Sequence, residues 1–314
     1  MSQHSDTVAG GRWYQAIEAG TWQDIAEGGK CRELTEHPED WIYRADRLDE
    51  SKCPECGYQG ARDCGLATHL EKAFEMYEVQ AGDKCRRENE MIREFQRKAL
   101  LYISNEPDKD DVLEWMALMR HHGAPTRLMD WTYSFYVAVY LALAKNESGI
   151  VWALRREGVN NSRRVVDRIE KDGQPRALES LRAKLTGQTD VLGLRELGDK
   201  ITDVAIVAYL MQHPLPIVYA VNPFRLNRRL TVQQGLFLLV GDITRPFIDN
   251  LKAAYGGVQE LKDSLYRIEL RPCRHERNEI LKRLKDMNIT SESLFPDLDG
   301  FAESLIQSLA YPGR

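Results

Sequence analysis

No stretch of this chain is apolar for long enough to cross a bilayer. The longest, Phe135 to Ala144, is about half of the ~20 residues that a spanning helix needs. The first residues, Met1-Ser-Gln-His-Ser-Asp-Thr7, carry no basic start followed by an apolar stretch, so no secretion signal is expected. Cysteine is scarce. Six in 314 residues are too few for a disulfide scaffold, and a reducing, cytoplasmic setting is the expectation. An excess of positive charge is missing as well. The formal net charge is -5, which gives no global attraction to nucleic acid; any such contact needs a local basic patch. No Pro/Ser-rich linker and no internal repeat divides the chain.

What is present is enough apolar material for a core: 43% of residues are hydrophobic, so disorder is not the default. Trp13 to Ala26 reads as a short helix, and residues 1–39 as a helical extension ahead of a domain spanning 40–314. Asp40-Trp-Ile-Tyr-Arg44 has the aromatic and β-branched content of a strand. A Gly- and Cys-bearing loop follows over 51–65. Thr68 is placed to cap a helix from His69, with Glu71 at the capping-box position. Glu88 to Tyr102 is a second helix with Met91, Ile92, Phe95, Ala99 and Tyr102 on one face. Asp110 or Asp111 caps a third, striped by Val112, Trp115, Met116 and Met119 and stopped by Gly123 and Pro125. Thr126 to Trp131 reads as a short non-helical connection, after which Ser134 caps the apolar helix 135–144. Buried strands are expected at 149–154, 216–221, 236–240 and 265–270, a charged helical excursion at 161–185, and terminal helices at 276–287 and 301–309. Strands and helices alternate irregularly. The expected class is α+β, a mixed central sheet with helices packed around it.

The segment Arg120-His-His-Gly-Ala-Pro-Thr-Arg-Leu-Met-Asp-Trp-Thr-Tyr-Ser134 gathers two histidines, Arg127, an aspartate and hydroxyls within one helix end and one short connection. It runs directly into the most apolar helix of the chain. A polar segment anchored to the core is where chemistry or binding tends to sit. The plainer account is structural: His121 at a helix C-terminus, and Arg127 paired with Asp130.

This segment resembles the signature of FRG domains, His-Tyr-Gly-Leu-Pro-Thr-Arg-Leu-Leu-Asp-Trp-Thr. Trp41-Ile-Tyr-Arg44 resembles the family's aromatic-Arg-Gly motif, with Ala45 in place of Gly. Segments 66–72, 229–237 and 290–300 resemble further blocks, so the likeness runs over roughly 40–305. A looser resemblance is to ADP-ribosyltransferases, which place an aromatic-Arg on an early strand, then Ser/Thr before an Ala-rich helix, then an acid on a later strand. That likeness implies NAD as cofactor. Tyr43 and Arg44 would hold its phosphates, Thr132 and Ser134 its nicotinamide ribose or amide, and Arg229 would assist. Departure of nicotinamide leaves a positive ribose, which an acid would stabilise; Gln233 and Gln234 stand where the acid is expected, so Asp130 is the substitute and His121 the base. The implied catalytic set is Arg44, His121, Arg127, Asp130, Thr132 and Gln234. The implied activity is that of an ADP-ribosyltransferase-like effector, of toxin or phage-defence type, with a protein or nucleic-acid acceptor and room for a regulatory partner.

Two other readings compete. Arg44, Arg127, Arg228 and Arg229 can hold a nucleotide or other phosphate ligand without turning it over. His121, His122 and Asp130 can serve a metal-dependent hydrolase, although adjacent histidines on a helix point about 100° apart. Separately, Cys53-Pro-Glu-Cys56-Gly has the form of a zinc knuckle. Cys64 is a third ligand, and the fourth is left open among Cys31, His69 and Cys85.

Overall fold

The structure, a computed structural model, describes residues 12–48, 66–159, 168, 171, 203–222 and 228–308. In chain order the elements are β1 (Gln15–Ala19), α1 (Trp22–Ala26), α2 (Gly29–Glu36), β2 (Trp41–Arg47), α3 (His69–Met76), α4 (Ala81–Ala99), α5 (Val112–His121), β3 (Leu128–Thr132), α6 (Phe135–Leu143) and β4 (Gly149–Arg155). There follow α7 (Asp203–Gln212), β5 (Val218–Val221), α8 (Arg228–Val232), β6 (Gly235–Val240), α9 (Phe247–Tyr255), α10 (Val258–Lys262), β7 (Leu265–Leu270), α11 (Arg274–Asp286), α12 (Ser291–Leu294) and α13 (Leu298–Ser308).

The strands form one seven-stranded mixed sheet in the order β1-β7-β4-β2-β3-β6-β5, as the α+β expectation requires. Only β1 and β7 run parallel; every other pair is antiparallel. Successive strand residues point to opposite faces, and here the two faces are covered differently. Ile42, Met129, Trp131, Ile150, Trp152, Leu236 and Leu238 form one continuous core with α3, α9 and α10. The opposite face carries two separate cores. Tyr43, Val151, Ala153 and Ile268 pack under α1, α2, α6 and α11. Leu128, Tyr219, Phe237 and Leu239 pack under α4, α5 and α7.

The boundary between those two cores falls where the sheet itself is weakest. Strand β2 pairs with β4 over its whole length, and β3 with β6 over five positions. Between β2 and β3 a single register pair remains, Tyr43 opposite Thr132. Beyond it the strands part, and Arg44 Nη1 donates to the Asp130 carbonyl at 2.8 Å across the gap.

Several local expectations hold. The Thr68, Asp111 and Ser134 side chains accept from the backbone N–H three residues on, as N-caps do. Gly123 sits at φ 82, the left-handed conformation that ends α5. Trp115, expected on the apolar stripe of α5, is core, as are Trp41 and Trp152.

Others are corrected. The helix expected over Trp13–Ala26 is strand β1 followed by the short α1, and β1 belongs to the same sheet as the rest, so residues 15–19 are not part of a separate helical extension. The connection read at Thr126–Trp131 runs from Leu128 into the interior strand β3. Helix α4 starts at Ala81 and stops at Ala99, leaving Tyr102 exposed. Glu71 does not close a capping box on Thr68; its carboxylate accepts instead from the Phe247 N–H and ties α3 to α9. The cysteine loop at 51–65 and almost all of the 161–185 excursion lie outside the described residues.

Strand β3 is held from below by a buried ion pair. Arg127, 0% exposed, donates through Nε (2.7 Å) and Nη2 to the Glu88 carboxylate, itself 2% exposed, and through Nη1 to the Val240 carbonyl. Burial alone would lower the Arg127 pKa, but Glu88 outweighs it and holds the pKa above the ordinary value. Breaking such a pair leaves one charge uncompensated. Glu88→Gln is therefore expected to cost about 3–5 kcal/mol in urea denaturation, and the Glu88→Leu/Arg127→Met double variant to recover most of that loss.

Candidate functional site

The parting of β2 and β3 opens a cleft of about 430 Å³. Strand β2 contributes Tyr43 to Arg47, β3 contributes Asp130 to Thr132, and the C-terminal ends of α5 and α6 contribute Arg120, His121 and Lys145. Helix α3 adds His69 and Lys72, while α8 and the turn into β6 add Arg229 and Gln233. Six cationic side chains (Arg44, Arg47, Lys72, Arg120, Lys145, Arg229) face two carboxylates (Asp46, Asp130). The excess of positive charge is local, since the chain as a whole is acidic.

Most of these side chains are fixed by neighbours. Arg120 grips Asp130 Oδ2 through Nε (2.7 Å) and Nη2, and its Nη1 lies 2.6 Å from His69 Nδ1. Lys145 pairs with Glu303 of α13 at 2.5 Å. The Arg229 guanidinium lies over the Phe295 ring, 4.6 Å from its centroid. Thr132 Oγ1 donates to the Gln233 carbonyl at 2.7 Å and accepts from the Ser134 N–H at 3.0 Å. Tyr43 is buried, and its hydroxyl donates to the Leu34 carbonyl. Burial of that phenol, and then the neighbouring Tyr136, push its pKa well above the tyrosine range.

Three polar atoms of cleft residues are left over, and the Trp152 indole N–H, away from the cleft, is another such atom among the described residues. Arg44 Nε, Asp46 Oδ2 and the Trp131 indole N–H are shielded from solvent without a hydrogen-bond partner. All three residues line the cleft. Buried polar atoms are ordinarily paired, and orphans cluster where a ligand or water completes the set.

The cleft brings together Tyr43, Arg44, His121, Asp130, Thr132 and Arg229 from the expected set. It leaves out the others. Arg127 is spent on Glu88 and Val240, outside the cleft, and its part is structural. Ser134 caps α6. Gln234 takes an exposed, left-handed turn position at φ 48, and Gln233 reaches the cleft in its place, its amide donating to the Leu294 carbonyl. His121 and His122 meet edge to face at 4.9 Å. Burial holds the His121 pKa below its ordinary value, with His122 and Arg229 acting in the same direction and Asp297 against. Asp130 is bound to Arg120, and no cluster of three metal-ligating side chains exists among the described residues. The metal-hydrolase set of His121, His122 and Asp130 thus finds no geometric support there.

Cys53, Cys56 and Cys64 lie outside the described residues. Of the three residues considered for a fourth zinc ligand, Cys31 is buried in an apolar cluster with its pKa pushed up to about 11 by burial and by Asp24. Cys85 is partly buried with its pKa also raised, chiefly by burial, and His69 Nδ1 faces Arg120.

Residues 56–149 match the family profile described as the FRG domain. The chain carries an FRG domain. The matched stretch contains the whole His121–Thr132 signature, so in this FRG domain the signature comprises the end of α5, the turn at Gly123 and strand β3. It holds the β3 side of the cleft, while Arg44 and Arg229 come from outside the matched residues. No curated protein and no solved structure matches the chain.

Sequence reading missed Asp46, Arg47, Lys72, Arg120 and Lys145 as cleft residues, and considered His69 only for zinc. The one local signal was alternation: Arg44 and Asp46 are two apart on one strand and so share a face.

Thr132 tests the rigidity of the apex of the cleft. Thr132→Val removes the bonds to Gln233 and Ser134, and a loss of about 1–3 kcal/mol in thermal or urea unfolding is expected, with Thr132→Ser close to wild type.

Proposed function

We propose that the cleft binds a phosphate-bearing nucleotide, with NAD the first ligand to try. The observation that carries this is the convergence of six cationic side chains on a cleft of about 430 Å³ at the break in the sheet, within a chain of net charge -5. Arginine forks suit phosphate oxygens because two parallel N–H bonds match their geometry. The volume lies in the range of small-molecule sites. Arg44, with one guanidinium nitrogen on the Asp130 carbonyl and Nε unpartnered, is the donor from β2. Arg229, oriented by Phe295, is the donor from α8.

ADP-ribosyl transfer to a protein or nucleic-acid acceptor, by an effector of toxin or phage-defence type, is the second reading. It is favoured by one fact: Arg44, Thr132 and a glutamine of the α8–β6 turn line a single cleft, in the chain order of the transferase pattern. Electrostatics rank it below binding. Loss of nicotinamide places positive charge on a ribose, and a pocket with six cations opposes that unless a carboxylate stands close. Asp130 is committed to Arg120, and Gln233 offers no charge. Asp46, with Oδ2 unpartnered, is the remaining acid on the cleft wall.

Calorimetry with NAD, ADP-ribose and ADP separates the readings from each other and from no function at all. Binding predicts saturable heats that weaken with salt, and at least about tenfold weaker affinity for Arg44→Met and Arg229→Met. The absence of binding by all three ligands contradicts it. Labelled NAD releasing nicotinamide, with loss of the release in Asp46→Asn, would promote the transferase reading above it.

A further inference from the structure

His69 occupies a position with an unusual constraint. Thr68 caps α3, so His69 is the first residue of that helix and its backbone is fixed against the cleft. Its Nδ1 lies 2.6 Å from Arg120 Nη1. A guanidinium only donates and does not lose its proton. Nδ1 must therefore be the acceptor, and the ring proton must reside on Nε2. Arg120 cannot easily swing away to relax this, because Asp130 Oδ2 holds two of its other nitrogens.

The surroundings oppose a second proton. Among the described residues, Arg120 on α5, Lys72 on α3 and Arg44 on β2 are the cations acting on the ring, and the Asp130 carboxylate on β3 acts against them. The positive end of the α3 dipole adds to the cations. His69 is exposed overall, but partial burial of its ring, then Arg120, bring its pKa down to about 4. At neutral pH His69 is a neutral ring with Nδ1 closed and a single N–H to offer. It is neither a base nor, through Nδ1, a metal ligand.

We propose that His69 is a fixed, uncharged hydrogen-bond donor to a phosphate oxygen of the nucleotide that enters the cleft, and that Arg120 is the positioning residue that sets its tautomer. The assignment rests on the nucleotide reading for its acceptor, but the tautomer does not. A donor that stays neutral adds an N–H without adding charge. It favours an oxygen that accepts only, as a phosphate oxygen does, over a ligand group that must donate.

The test has two independent arms. Proton–nitrogen correlation spectra of the imidazole rings of the full chain, with His69→Gln used to assign the signal among the seven histidines, read the tautomer directly. The expected result is an Nε2–H ring unchanged between about pH 5 and 8, and in Arg120→Met a mixed tautomer with its pKa raised. A charged ring at pH 6, or an Nδ1–H ring, overturns the proposal. The second arm is calorimetry with NAD and with inorganic pyrophosphate. His69→Ala is expected to weaken both by roughly tenfold, and His69→Gln, which keeps a donor at the Nε2 position, by no more than a few-fold. Equal affinity of His69→Ala and wild type overturns it. If wild type binds neither probe while the Nε2–H ring is seen, the nucleotide reading falls and takes the phosphate acceptor with it, and the role of Arg120 in setting the tautomer stands.

Discussion

Everything about the cleft depends on how little β2 and β3 share. A seven-stranded sheet joined by a single register pair at its centre is two sheets hinged at Tyr43 and Thr132. Backbone groups that would have paired are left facing the gap, and such groups demand partners. Arg44 supplies one by donating to the Asp130 carbonyl. The two helical cores on the same face, one under α6 and one under α5, end on either side of the break, and neither closes it. The void is lined by whatever the strand ends and helix ends present, and among the charged side chains there the cations outnumber the carboxylates.

Two ion pairs near the signature show how chemically similar contacts divide the labour. Arg127 and Glu88 are sealed from water and tie α4 to β3 and β6; they belong to the fold. Arg120 and Asp130 sit at the cleft, and their pairing fixes a guanidinium that in turn fixes His69. The first pair keeps β3 in place, and the second decides what β3 and α5 present to a ligand. The His121–Thr132 signature thus supplies a strand and one member of each pair, Arg127 for the pair that anchors the strand and Asp130 for the pair that faces the cleft; Glu88 and Arg120 lie outside it.

Much of the fold was legible in the chain. Caps at Thr68, Asp111 and Ser134, the Gly123 stop and the apolar strands 149–155, 235–240 and 265–270 all follow from local chemistry. The misses share a cause. Strand β3 has five residues with Asp130 in the middle, and burial on both faces erases the alternation by which strands are recognised. Strand β1 is, among the described residues, at the edge of the sheet, and its partner there, β7, lies some 250 residues away in the chain. The cleft was half legible. Arg44, Thr132 and Arg229 were placed by family likeness, but His69, Asp46 and Lys145 meet there only because of topology. Arg127 looked like a ligand residue from its motif, and only its burial with Glu88 shows otherwise. The choice between Gln233 and Gln234 turned on the left-handed conformation of the second, which throws its side chain outward.

The most direct measurement is an experimental structure of the full chain determined with ADP-ribose. The account predicts the diphosphate at the β2–β3 break, within hydrogen-bond distance of Arg44 and of the His69 Nε2–H, with the Arg120–Asp130 pair unbroken. A diphosphate bound on another surface, or a cleft filled by the chain's own side chains with Arg44 turned away, would contradict it.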